Sequence, residues 1–187
     1  MRSPERGFTL IELIVGIVLL AVALTGILGL LINQAPQAVD PVQQVRAAQL
    51  AQRLSGEILQ KSFDENSDHN GGRYRCGEQV AGVTISPCSG SYGPDGEPAP
   101  YAYNDVDDFD TAGNWRDASW FTQTSSGIGS DEYRNYQVKI AVSAVVFNAD
   151  GSFDSCSDHC SMGKRIDLQV KLPDESLLDF SFYRGSY

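Results

Sequence analysis

The sequence predicts an α+β fold: a long amino-terminal helix, half transmembrane and half amphipathic, packed on a small antiparallel β-sheet. Three observations carry that prediction. Phe8 to Ile32 is apolar and holds one charged side chain, Glu12. Val42 to Phe63 repeats apolar residues at helical spacing. The last third of the chain alternates apolar and polar residues with the period of half-buried strands.

The apolar run, about 25 residues, makes a helix of ~37 Å, which crosses a hydrocarbon core of ~30 Å with some tilt. A secretory signal peptide fits less well, because it has an apolar core of about 7–15 residues ending in a small-x-small site. Here the run is longer, and its end, Leu30-Leu31-Ile32-Asn33-Gln34, has no such site. Arg2 and Arg6 lie just ahead of it. They place the short amino-terminal end in the cytoplasm and the body of the protein beyond the inner membrane. Gly7 offers a small residue at which a protease can cut. Glu12 is the anomaly. A carboxylate at that depth costs about 2.5–3.5 kcal/mol on insertion scales, so it needs a partner. Gly16, Gly26 and Gly29 permit close approach of a neighbouring helix.

The helix is expected to continue beyond Pro36 and Pro41, which interrupt the pattern and bend it. Ala47, Ala51, Leu54 and Ile58 then recur on one face, with Leu50 and Leu59 beside them. After Phe63 the composition turns to Gly, Asp, Ser and Asn. The remaining ~125 residues suffice for one modest domain with its own core. Tyr136 to Asn148 alternates Val138, Ile140, Val142, Ala144 and Val146. Arg165 to Leu172 alternates Ile166, Leu168, Val170 and Leu172, and a last segment alternates Leu178, Phe180 and Phe182. Asn148-Ala149-Asp150-Gly151 and Pro173-Asp174-Glu175-Ser176 read as the turns between them. A weaker strand is expected through Val80, Val83 and Ile85. Ser89 to Arg134 is loop-rich.

Cys76, Cys88, Cys156 and Cys160 all follow the membrane segment, in a compartment where disulfides persist. Four cysteines allow three pairings. Cys76–Cys88 and Cys156–Cys160 are favoured because each closes a Gly/Ser-rich loop, contributing about 2–3 kcal/mol at most. A zinc site is the alternative, drawn by Asp158-His159-Cys160, but the cysteine spacing is not that of a zinc ribbon.

Two acidic clusters stand out. Asp64, Asn66, Asp68 and Asn70 fall at every second position, like the start of a calcium loop, but His69 and Arg75 stand where an EF-hand needs Gly and Glu. Asp105, Asp107, Asp108 and Asp110 crowd a second segment. Drawn together, Asp64, Asn66, Asp68, Asn70, Asp105 and Asp107 would offer calcium its oxygens; solvated loops with Asx-turns are the alternative. Catalytic patterns are lacking: there are two histidines, no Gly-x-Ser-x-Gly elbow and no phosphate-binding glycine loop. The net charge of −10 disfavours binding to nucleic-acid backbones.

Gly7-Phe8-Thr9-Leu10-Ile11-Glu12, behind a short basic leader, resembles the type IV prepilin signature. The resemblance implies that prepilin peptidase cuts between Gly7 and Phe8 on the cytoplasmic side. Phe8 is then N-methylated, and Glu12 becomes the fifth residue of the mature chain. It further implies a leader at 1–7, a transmembrane and assembly helix at 8–35, an amphipathic continuation at 36–62 and a head at 63–187. Glu12 of one subunit would pair with the new amino terminus of a neighbour, two charges tolerable in lipid only together. Partners would be major and other minor pilins through this helix, and the inner-membrane assembly platform. The final location would be a cell-surface pilus. Asp64-Glu65-Asn66-Ser67-Asp68, Asn70-Gly71-Gly72, Arg75-Cys76 and Asp105-Val106-Asp107-Asp108-Phe109 are similar to the minor prepilins of the mannose-sensitive haemagglutinin (MSHA) pilus. A minor pseudopilin of a type II secretion system shares leader, helix and Glu. A tip adhesin, with Tyr101, Trp115, Trp120 and Phe121 as its contact surface, is a third reading.

Overall fold

The computed structural model describes residues 9–67, 74–127, 131–156 and 163–186, with residues 30–40 described by their backbone alone. The chain divides into two compact units, Met1–Val42 and Gln43–Tyr187.

One helix, α1 (Leu10–Leu59), contributes to both units. It begins at Thr9, whose hydroxyl and carbonyl accept the N–H of Glu12 at 3.4 and 3.1 Å. Thr9 and Glu12 thus have the spacing of a capping box, which favours a helix start here. Leu10–Gly29 is long and apolar enough to cross a membrane. Its large side chains are exposed, Leu10 by 77% and Leu19 by 65%, and no described residue covers them. Pro36 and Pro41 do not end α1, which runs through both. Each proline removes one N–H, and the bonds on either side keep the turn.

In the second unit, the expected apolar face of α1 is the core face. Ala47, Leu50, Ala51, Leu54 and Ile58 are buried with Val138, Ile140, Ile166, Leu168 and Val170 of the sheet. Leu59 sits at the rim, 37% exposed.

The sheet is antiparallel. Its strands are β1 (Arg116–Asp117), β2 (Gln137–Phe147), β3 (Phe153–Ser155), β4 (Gly163–Lys171) and β5 (Leu177–Gly185). The order is β1-β2-β4-β5, with β3 also on β2. The fold is therefore α+β, an apolar amino-terminal helix with a small antiparallel sheet, consistent with a type IV pilin-like fold. The alternation in β2 and β4 holds: Val138, Ile140, Val142 and Ala144 face the core opposite Val170, Leu168, Ile166 and Lys164. It slips at the end of β2, where Val145 is buried and Val146 only partly so. Two edge strands have no clear sequence signal, because β1 spans two residues and β3 three. The strand expected around Val80 to Ile85 reduces to a single bridge, Val80–Val83, in a segment of turns.

Gly163 has a specific packing role. A Cβ there would lie 2.3 Å from the Phe147 ring, so the ring crosses β4 directly over its backbone to reach Tyr183 on β5, 5.8 Å between centroids.

Candidate functional site

Gly7 and Phe8, the expected cleavage and methylation residues, lie outside the described residues. Glu12 is exposed in the first turn of α1, in an otherwise apolar stretch. A Cβ at Gly16, Gly26 or Gly29 would meet nothing within 4 Å. Packing inside the chain therefore does not require these glycines, and the helix keeps a slim surface for another helix.

The head is organised around a buried charge cluster. After α1 the chain bonds to a distant segment: the Ser62 N–H donates to the Asn104 carbonyl and the Val106 N–H to the Ser62 carbonyl, each at 3.1 Å. That bridge sets Asp64 beside the second acidic run. Asp64, Asp105, Asp107 and Asp108 are each at most 2% exposed. Lys164 of β4, itself 2% exposed, enters this cluster. Its ammonium donates to the Phe63 carbonyl at 2.6 Å, to Asp64 Oδ2 at 3.3 Å and to Asp107 Oδ1. It also lies 4.7 Å from the centre of the Phe63 ring.

The carboxylates bind backbone as well. Asp64 accepts the N–H and hydroxyl of Ser89 and the N–H of Asn66. Asp105 Oδ1 accepts the N–H groups of Asp107 and Asp108, and Asp108 Oδ2 accepts those of Asn104 and Asp105. Asp110 and Thr111 reach across to bond Val142 and Ile140 of β2. The acidic run is thus a folded connector. Lys164 was missed because the sequence reading began that strand at Arg165. Its signal was position: it falls in phase with Ile166, Leu168 and Val170, where a lysine is out of place.

For calcium, the donors divide. Asp68 and Asn70 lie outside the described residues. Asp64 and Asp107 face an ammonium already in place, and the Asn66 side-chain amide donates to the Pro87 carbonyl at 3.0 Å. Cys76 and Cys88 form a disulfide with Cα atoms 4.8 Å apart. Asp64 lies close to both sulfurs, but joined sulfurs offer no thiolate to a metal. Cys156 is disulfide-bonded; Asp158, His159 and Cys160 lie outside the described residues.

Four buried carboxylates against one ammonium leave excess negative charge. Burial, with the charges of Asp107 and Asp108, raises Asp105 to about 7. Burial also raises Asp107, to about 6, against the pull of Lys164. An unfolded Asp titrates near ~3.9. Between about pH 4 and 7 the folded head therefore holds more protons than the unfolded chain, and its stability falls as pH rises. The head is expected to be more stable at about pH 5 than at pH 8, by on the order of 1–2 kcal/mol after allowing for solvent screening. Asp105→Asn keeps an acceptor for the two N–H groups and removes the charge, so it is expected to flatten that slope. Urea titrations at several pH values check it; a slope unchanged by the substitution would assign the effect elsewhere.

The aromatics proposed for adhesion are mostly structural. Phe121 is buried, and Trp120 packs against the core. Trp115 is half-buried, with the Lys139 ammonium 4.8 Å from its ring centre. Tyr101 alone of the four is exposed, at 42%.

Residues 2–28 match the family model described as the prokaryotic N-terminal methylation motif. This stretch contains Gly7, Phe8 and Glu12. The match supports a type IV prepilin-like protein, of a motif family that is structural, with processing by prepilin peptidase and pilin-type assembly contacts in general. Together with the apolar helix Leu10–Gly29 it fits membrane anchoring, with the rest of the chain as a soluble domain. No curated protein and no solved structure matches the chain.

Proposed function

We propose that this chain is a minor pilin of an MSHA-like type IV pilus, similar to the D-type minor prepilin MshD. In this reading it primes or joins fibre assembly for surface attachment. The observation that carries the reading is a methylation motif placed so that Glu12 is the one carboxylate in an exposed apolar helix. Prepilin peptidase removes residues 1–7, and Phe8 becomes the methylated, cationic terminus. The helix then passes from membrane to fibre, where neighbouring pilins cover its apolar side chains. The head faces the periplasm before assembly and the cell surface after it. A pseudopilus subunit would carry the same amino-terminal chemistry. The acidic run, from Asp64 and from Asp105 to Phe109, favours the pilus assignment.

No cofactor enters the proposal. Lys164 already serves as the cation between Asp64 and Asp107, so calcium binding would require its displacement.

The test is processing. Replacing Gly7 with a bulky residue, Gly7→Leu, is expected to leave uncut precursor in the inner membrane. Mass spectrometry of the wild-type protein should find a chain beginning at methylated Phe8. Full maturation of the variant, or a native chain still beginning at Met1, would overturn the reading.

A further inference from the structure

Among the described residues Lys164 is the one lysine in the core. Its ammonium touches Asp107 Oδ1, and Asp64 Oδ2 lies 3.3 Å from it on another side. The rings of Phe63 and Tyr92 flank it, their centres 4.7 and 5.8 Å from Nζ, and screen the contact from bulk water. The two carboxylates differ in what else holds them. Asp64 accepts the N–H and hydroxyl of Ser89 and the N–H of Asn66, donors that favour its anion. Asp107 Oδ2 is buried and has no hydrogen-bond partner among the described residues. Burial favours the neutral acid there. An ammonium and a carboxylate in a dry site shed much of their desolvation cost by becoming amine and acid, and joining them removes both charges for good.

We propose that Lys164 and Asp107 become joined by an amide bond, formed within the folded head with Asp64 as the proton carrier. The ion pair described above is the state before the bond. One proton passes from the ammonium to Asp107, giving an amine and a carboxylic acid. The Nζ lone pair then attacks Asp107 Cγ, as lysine amines do when desolvated. Asp64 takes one proton from the nitrogen and delivers it to the departing hydroxyl. A C–N bond forms, a C–O bond breaks and one water leaves. Asp64 ends as it began, and nothing is oxidised or reduced. The fold supplies the contact that two free molecules would have to find by collision. One buried charge of each sign disappears, so the net charge of the cluster is unchanged. The amide N–H keeps an acceptor in the Phe63 carbonyl, 2.6 Å from Nζ. Once joined, Asp107 no longer titrates, and Asp105 carries the pH slope of the head. The bond links positions 57 apart in the chain and fastens the acidic connector to β4. The proposal rests on this cluster alone and stands apart from the pilus reading.

The test weighs the full chain, purified in detergent and then denatured and reduced. Lys164→Arg, whose guanidinium is no nucleophile, is the reference. Beyond the residue change, wild type is expected to be lighter than this variant by one water. Trypsin should no longer cut after Lys164, and should release one branched peptide joining the segment with Asp107 to the segment with Lys164. Asp64→Asn is expected to fold, as tryptophan fluorescence would report, but to form the bond on the order of a hundredfold more slowly, leaving most of it at full mass. Wild type at full mass, or a water loss with the two segments in separate peptides, would overturn the proposal. Bond formation to the wild-type extent in Asp64→Asn would overturn the step assigned to that carboxylate.

Discussion

Replacing Lys164 with methionine is expected to cost the folded head about 3–5 kcal/mol, the usual loss when one partner of a buried ion pair is removed. Methionine is unbranched and close to lysine in length, so a large cavity is not expected to be the cause. The loss comes from Asp64 and Asp107, which remain buried without their cation. Of the two, Asp107 is the more vulnerable. Its Oδ2 has no hydrogen-bond partner even with Lys164 present, whereas Asp64 keeps the donors of Ser89 and Asn66. Asp107→Asn is therefore expected to rescue part of the loss in the Lys164→Met background. The variant should also lose stability more steeply with rising pH, because ionised carboxylates then have no buried counter-charge. Both tryptophans lie in the head, so their fluorescence follows its unfolding in denaturant without interference from the membrane helix. A loss below ~1 kcal/mol, or no rescue by Asp107→Asn, would mean that the pair does not hold the head together.

What was legible in the sequence follows from the range of the interactions involved. The face of α1 containing Leu50, Leu54 and Ile58, and the faces of β2 and β4, obey local periodicity and appear where periodicity puts them. The site of β1 depends on pairing with a distant part of β2, whereas β3 folds back on β2 through the turn at 148–151; in both, two or three residues carry no period of their own. The acidic runs show the same limit from the opposite side. Composition marked two acidic runs, one at Asp64 and one at Asp105 and Asp107, with separate solvated loops as the alternative to a shared site; the fold sets Asp64 and Asp107 on one ammonium. What they surround was not visible, since Lys164 lies about 100 positions from Asp64 in the chain. The local signal for it is phase: Lys164 falls on the same inward positions of β4 as Ile166, Leu168 and Val170. The Glu12 motif was legible because it is short, ordered and local, and the family model matches the same stretch.

Glu12→Ala is expected to give a protein that is inserted and cut normally yet enters fibres at least tenfold less often than wild type. The two halves of that expectation have opposite physical signs. Within a single membrane-borne chain, losing the carboxylate removes a burden of about 2.5–3.5 kcal/mol, so insertion is not impaired. The helix start also survives, because the bonds at its first turn use the backbone N–H of residue 12, which alanine retains. Loss of a negative charge near the helix amino terminus costs only about 0.3–1 kcal/mol. Assembly reverses the sign. In the proposed fibre the methylated Phe8 amine of one subunit would sit among apolar helices, and without the carboxylate of its neighbour it would have no counter-charge. Breaking a buried pair on one side costs about 3–5 kcal/mol, which corresponds to far more than a tenfold loss at equilibrium. Glu12→Gln, which restores size and polarity without charge, should fail almost as badly if charge pairing is the cause. Quantitative blotting of sheared fibres against the inner-membrane pool separates the steps. Wild-type incorporation of either variant would show that register during assembly is set by something other than this pair.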